Sequence, residues 1–155
     1  MKKKSALFCL FLVSLFFIAA CSTETEKKSI ETEKQTIDNW EQRNEYVKDG
    51  KVLLQVFPDP ALYAGKPFGY IFHFTAPFET FRGKELAIYA YHKQTGEKIT
   101  ALSPEKIKEP TSGYSTLERF TATFSVPRSG LWRYEVVLDG KFYADVVFAV
   151  KNKEM

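Results

Sequence analysis

Thiols are scarce in this chain: two cysteines, Cys9 and Cys21, among 155 residues. Cys9 sits inside an apolar N-terminal run, and Cys21 sits at its end. If the run is removed and Cys21 is modified, the mature chain has no free thiol and no disulfide. Thiolate zinc sites and cysteine nucleophiles are then excluded. Histidine is equally scarce, with His73 and His92 alone, and their spacing matches no metal motif. No Gly-x-Ser-x-Gly elbow occurs, and no Gly-x-x-x-x-Gly-Lys phosphate cradle. Nucleophilic hydrolysis and nucleotide chemistry lose their usual signatures, so the chain is not expected to be an enzyme. No long segment keeps a helical period, which argues against α/β folds.

An excess of one charge is also missing. The formal net charge is +3, but Lys2, Lys3 and Lys4 supply it. Without them, 19 basic residues face 19 acidic ones. Nothing in that balance points to nucleic acid.

What is present begins with those lysines. They precede an apolar run of 15 residues, Ala6 to Ala20. A basic start, an apolar stretch of this length and small residues before a cut describe a secretory signal. A membrane-spanning helix needs about 20 apolar residues, so the run is too short to cross comfortably. Its end, Ile18-Ala19-Ala20-Cys21, is similar to the lipobox of bacterial prolipoproteins. That resemblance implies cleavage before Cys21 and a diacylglycerol thioether on its sulfur. Each buried methylene contributes about 0.8 kcal/mol, and two acyl chains hold a protein stably. The expected location is the extracellular face of the cell membrane.

Residues 21–45 are polar, with Ile30, Ile37 and Trp40 as the large apolar groups. Such a composition buries too little surface to offset ordering entropy. The segment reads as a tether, flexible or weakly helical. From residue 46 to 153 the texture changes to short runs of Val, Ile, Phe and Tyr between Pro, Gly and Asp breakers. Candidate strands cover 51–57, 67–75, 84–93, 97–101, 117–126, 131–138 and 141–151. About seven short strands at these intervals predict an all-β, immunoglobulin-like antiparallel sandwich.

Alternation assigns faces. Leu86, Ile88 and Ala90 share one side of their strand; Phe120, Ala122 and Phe124 share another. Trp132, Tyr134 and Val136 face one way, with Arg133 and Glu135 opposite. After Asp139-Gly140 the apolar row is Phe142, Ala144, Val146, Phe148 and Val150. A two-residue turn would pair 136 with 143 and bring Asp145 onto the apolar face. A three-residue loop, Leu138-Asp139-Gly140, would pair 136 with 142 and set Arg133 opposite Asp145. That loop is the sequence expectation.

Three features could carry function. His73 lies on a strand apolar on both sides and reads as partly buried; His92 ends its strand beside Lys93 and Gln94 and reads as exposed. Either is a candidate ligand for a metal-handling accessory protein, although the sequence predicts no metal site and no cofactor beyond the diacylglycerol. Tyr63, Tyr70, Tyr89, Tyr91, Tyr114 and Tyr143 divide between faces, and outward tyrosines on a sheet can bind peptide or glycan. The run Ser103 to Gly113 carries both signs of charge and reads as a solvated loop, where binding residues tend to sit.

Five pieces together carry a family resemblance: Ala64-Gly65-Lys66-Pro67, His73-Phe74, Thr95-Gly96-Glu97-Lys98, Ser129-Gly130-Leu131-Trp132 and Asp139-Gly140-Lys141. In this order, over residues 60–151, the chain resembles small Gram-positive, Bacillus-type lipoproteins with an immunoglobulin-like domain of unknown function. The resemblance implies a fold and an envelope location and transfers no catalytic residue. The expected role is a lipid-anchored, non-enzymatic binding or accessory module, with an envelope protein or wall component as partner. The alternatives are an inhibitor of secreted hydrolases acting through an exposed loop, and the metal-handling protein above.

Overall fold

The computed structural model describes residues 39–152. The predicted signal, Cys21 and most of the predicted tether lie outside them. The described residues form eight strands and one short 3-10 turn. The strands are β1 (Glu45–Lys48), β2 (Lys51–Pro58), β3 (Phe68–Phe74), β4 (Glu85–His92), β5 (Lys98–Lys106), β6 (Phe120–Phe124), β7 (Gly130–Leu138) and β8 (Lys141–Val150). They pair into two four-stranded sheets, β1-β2-β3-β6 and β5-β4-β7-β8. Every pairing is antiparallel. Taking β2 to β8 as strands A, B, C, C′, E, F and G gives A-B-E against C′-C-F-G. That is an immunoglobulin-like order.

The alternation in the sequence becomes the core. Leu54, Val56, Phe72, Phe74, Leu86, Ile88, Trp132, Tyr134, Val136 and Val146 are all buried between the sheets. Tyr70 stacks flat on Phe124 with centroids 4.1 Å apart. Nine of the 24 buried core residues carry aromatic rings, which bring large apolar surfaces to this interior.

The β7–β8 turn corrects the sequence expectation. Leu138 pairs with Lys141, so the loop is the two residues Asp139-Gly140. Both have positive φ, 49° and 73°, as a type I′ turn requires. The apolar rows still agree, because a bulge leaves Tyr143 as an extra residue between the 137–142 and 136–144 pairs. Val136 therefore faces Ala144, and Glu135, not Arg133, stands opposite Asp145.

Three further differences follow from edges and turns. Asp49-Gly50 forms a second turn with both φ positive, at 52° and 73°, and creates the unforeseen strand β1. Strand β5 continues past Ala101 to Lys106, through Pro104. It lies at a sheet edge, where proline's missing N–H costs no ladder bond. Strand β6 is shorter than the 117–126 expectation.

The sandwich also takes in residues assigned to the tether. The compact unit starts at Trp40. Arg43 exchanges two backbone hydrogen bonds with Val147, each 3.0 Å long. The next carbonyl, of Asn44, accepts from the Val56 N–H at 2.8 Å. The entering chain thus touches the edge of one sheet, on β8, and then joins the other as β1.

Candidate functional site

The outer face of the β5-β4-β7-β8 sheet gathers the polar chemistry of the domain. Alternation sends Tyr89 and Tyr91 of β4, Arg133 and Glu135 of β7, and Asp145 and Val147 of β8 to this side. It should be solvated, yet Arg133 is 7% and Asp145 only 1% exposed. Burial comes from the entering segment. Arg43 Nη2 lies 2.7 Å from Asp145 Oδ1, and Arg133 lies 5.1 Å from the ring centroid of Trp40 and 5.2 Å from that of Tyr91. A guanidinium over two rings gains cation–π attraction from each.

The second Asp145 oxygen lies 3.9 Å from Arg133 Nε, too far for a hydrogen bond. Arg133 Nη2 is also 3.9 Å from Glu135 Oε2. Burial pushes the Asp145 carboxyl above its ordinary range, against the pull of Arg43 and Arg133. Burial likewise raises Glu135, against Arg133, and neighbouring Asp145 raises it further. Two raised carboxyls beside arginines are the signature of a tight charge cluster in a low-dielectric setting.

Beyond Arg133 the face opens. The exposed Lys98 ammonium stands 4.0 Å from the Tyr89 ring centroid and 5.4 Å from that of Tyr91. Tyr89 and Tyr91 are half-buried. This half presents two half-buried tyrosines and an exposed cation. Of the tyrosines that the sequence divides between faces, Tyr89 and Tyr91 lie on this outer face, while Tyr70 turns inward and meets Tyr134 at 3.4 Å through their hydroxyls. Trp40 and Arg43 were missed, because their partners on β7 and β8 lie about a hundred residues downstream.

The histidines separate. His73 projects from the outer face of the other sheet, opposite Gln55, and is partly buried. His92 is 4% exposed, correcting the expectation of an exposed residue. Its Nε2 lies 3.0 Å from the Ser129 carbonyl, which can only accept, so Nε2 carries the proton. Nδ1 lies 2.9 Å from Thr95 Oγ1, and that hydroxyl accepts from the Glu97 N–H at 3.2 Å. The ring also packs on Trp132, with centroids 4.9 Å apart. Both nitrogens are engaged, so a metal at His92 would have to displace Thr95. Among the described residues, no group of three or more His, Cys, Asp or Glu converges as a metal site.

The predicted 103–113 loop is also redrawn. Its first four residues belong to β5. Ile107 is buried and exchanges backbone bonds with Gly83 and Lys84. A pocket of about 210 Å³ lies between Glu109–Thr111 and Leu117–Thr121, beside the β6 edge.

Against known proteins, no family model matches the chain. No curated protein matches it either. Among solved structures it is similar to one named "Putative Lipoprotein from Bacillus anthracis". The two share 18% identity over 79% of this chain and 92% of that one, with a TM-score of 0.51. This shows a common fold. A weaker likeness is to superoxide reductase (neelaredoxin) from Ignicoccus hospitalis, at 13% identity over 64% of this chain and 80% of that one, with a TM-score of 0.43.

Proposed function

We propose that this protein is anchored by lipid on Cys21 at the extracellular face of the membrane and serves there as a non-enzymatic binding or accessory module. The observation that carries the anchor is Ile18-Ala19-Ala20-Cys21 at the end of a 15-residue apolar run behind three lysines. The fold shared with a structure named as a lipoprotein supports the same reading. Recognition falls to the open half of the outer face, where Tyr89, Tyr91 and Lys98 offer aromatic area and one cation to an envelope protein or wall polymer. Tyrosines held on a strand supply contact area at low entropic cost.

The test has two arms. The native chain should partition into detergent with the membrane fraction, and Cys21→Ser should release it to the medium. Crosslinking in intact cells should then trap a partner that Tyr89→Ala with Tyr91→Ala loses while the melting temperature holds. A Cys21→Ser protein that stays with the membrane after losing residues 1–20 rejects the anchor. Crosslinks indifferent to the tyrosine pair reject the recognition face.

A further inference from the structure

We infer that the cleft beside the β6 edge binds a small zwitterion, an amino acid or a dipeptide, with its carboxylate toward Arg119 and its ammonium toward Glu109. The inference rests neither on the lipid anchor nor on the Tyr89–Tyr91 face, which belongs to the other sheet.

The cleft is built without a ligand. Its first arm, residues 109–111, follows Ile107, which is buried and makes backbone bonds of 2.8 and 2.9 Å with Gly83 and Lys84. Its second arm, residues 117–121, is tied to β3 where the Phe74 N–H donates to the Leu117 carbonyl at 3.3 Å. Between the arms the loop closes on itself. The Thr111 N–H donates to the Thr116 carbonyl at 3.0 Å, and the Tyr114 N–H donates to the Thr111 carbonyl at 2.9 Å. Walls fixed in advance lower the ordering cost of binding. Strand β6 is the last of its sheet, so no further strand occupies its outer edge.

Charge decides what fits. Glu109 and Arg119 are exposed side chains of opposite sign that line the same cleft. Among the described residues neither enters an ion pair, with the other or with a third group. Arg119 Nη1 donates to the Tyr114 hydroxyl at 3.3 Å, which steadies a guanidinium that has further donors to give. A simple anion would meet Glu109, and a simple cation would meet Arg119. A ligand carrying both charges satisfies both. Thr111 and Thr121 add hydroxyls, and Leu117 and Phe120 add apolar lining. The volume of about 210 Å³ falls below the range of about 300–1,000 Å³ for drug-sized ligands, so one or two residues fit and a nucleotide or glycan chain does not.

NMR titration of the full chain carrying Cys21→Ser with alanyl-alanine tests the cleft. Shifts should concentrate at the amides of Thr111 and of Leu117 to Thr121, with a Kd in the millimolar range, because exposed charges bind weakly. Blocking either charge of the probe, as N-acetyl-alanyl-alanine or as alanyl-alanine amide, should weaken binding about threefold. Glu109→Gln should weaken the dipeptide by the same factor without weakening the N-acetyl probe. Arg119→Gln should behave likewise toward the amide. These matched losses separate a direct contact from a change in the loop. A dipeptide that shifts no amide within 109–121, or that binds both variants as well as the native side chains, overturns the inference. Purified wall polymer then distinguishes the sources, and both results uphold the cleft. Pelleting with the wall that alanyl-alanine competes away assigns the open ends of wall peptides. Dipeptide binding without pelleting assigns a free solute.

Discussion

Arg43 and Asp145 stand 102 residues apart in sequence and 2.7 Å apart in space. Their pair joins the entry of the domain to its last strand. Asp145 is 1% exposed and Arg43 19%, so the carboxylate depends on the arginine far more than the reverse. Arg43→Ala should destabilise the domain by about 2 kcal/mol, since it strands a buried carboxylate. Replacing both partners, as Arg43→Met with Asp145→Asn, should recover most of that loss. Urea denaturation of the two singles and the double checks this; equal midpoints for wild type and Arg43→Ala would refute it.

The same cluster sets a pH dependence. Glu135 and Asp145 both have folded pKa values raised by burial. Their folded forms therefore take up protons at a higher pH than their unfolded forms. The stability this contributes is fully present below the unfolded carboxylate range, about pH 4. It is lost as pH rises through the folded values. Glu135→Gln removes one of the two groups. The melting temperature of the wild type should then fall relative to Glu135→Gln as pH rises from about 4 toward neutrality. Arg43→Ala should extend that window upward, because Arg43 is what holds Asp145 down. A difference between wild type and Glu135→Gln that is flat with pH contradicts the assignment.

The sandwich could be read from alternation, since Leu86, Ile88 and Ala90, and then Trp132, Tyr134 and Val136, each needed one buried side. The β7–β8 register was half legible. Matching the apolar rows required an extra residue, but the sequence did not say whether it lay in the turn or in the strand. Asp139 and Gly140 both take positive φ, so the turn stays at two residues and Tyr143 becomes the bulge. Asp49-Gly50 carried the same turn signal, and could have revealed β1. The entering segment, residues 40–43, could not be read at all. Trp40 and Arg43 sit in a polar stretch, and only folding brings Arg133 and Asp145 beneath them. His92 misled for a similar reason: its polar neighbours Lys93 and Gln94 suggested solvent, whereas the Ser129 carbonyl meets its Nε2 from another loop and its ring packs on Trp132.

His92 and Gly130 should show strong coupling. Gly130 has φ 122°, a region that strains any residue with a Cβ. A Cβ there would also lie 2.7 Å from His92 Nε2 and 2.9 Å from Gln94 Oε1. Gly130→Ala should therefore cost about 3 kcal/mol, from backbone strain and the clash together. His92→Ala should cost about 2–4 kcal/mol through its lost packing on Trp132 and an uncapped Ser129 carbonyl. In the double variant the histidine clash is gone and the backbone strain remains, so the two costs should sum to more than the double loses. Strict additivity in a thermal or urea cycle would refute the proposed contact.

The tyrosine pair in the core offers the sharpest separation of hydrogen bonding from packing. Tyr70 and Tyr134 are 2% and 0% exposed, and their hydroxyls lie 3.4 Å apart, near the limit of a hydrogen bond. Burial raises the pKa of both hydroxyls, so both are neutral and one donates to the other. Tyr134→Phe removes a single oxygen and leaves the Tyr70 hydroxyl without that partner. An unsatisfied buried hydroxyl costs about 1–3 kcal/mol, whereas removing both partners of a buried bond is close to neutral. Tyr134→Phe should thus lose about 1 kcal/mol, at the low end because the bond is long. Tyr70→Phe with Tyr134→Phe should return to within about 0.5 kcal/mol of wild type, since the rings and their packing on Phe124 are unchanged. A double variant weaker than either single would mean that the hydroxyls are held by more than each other.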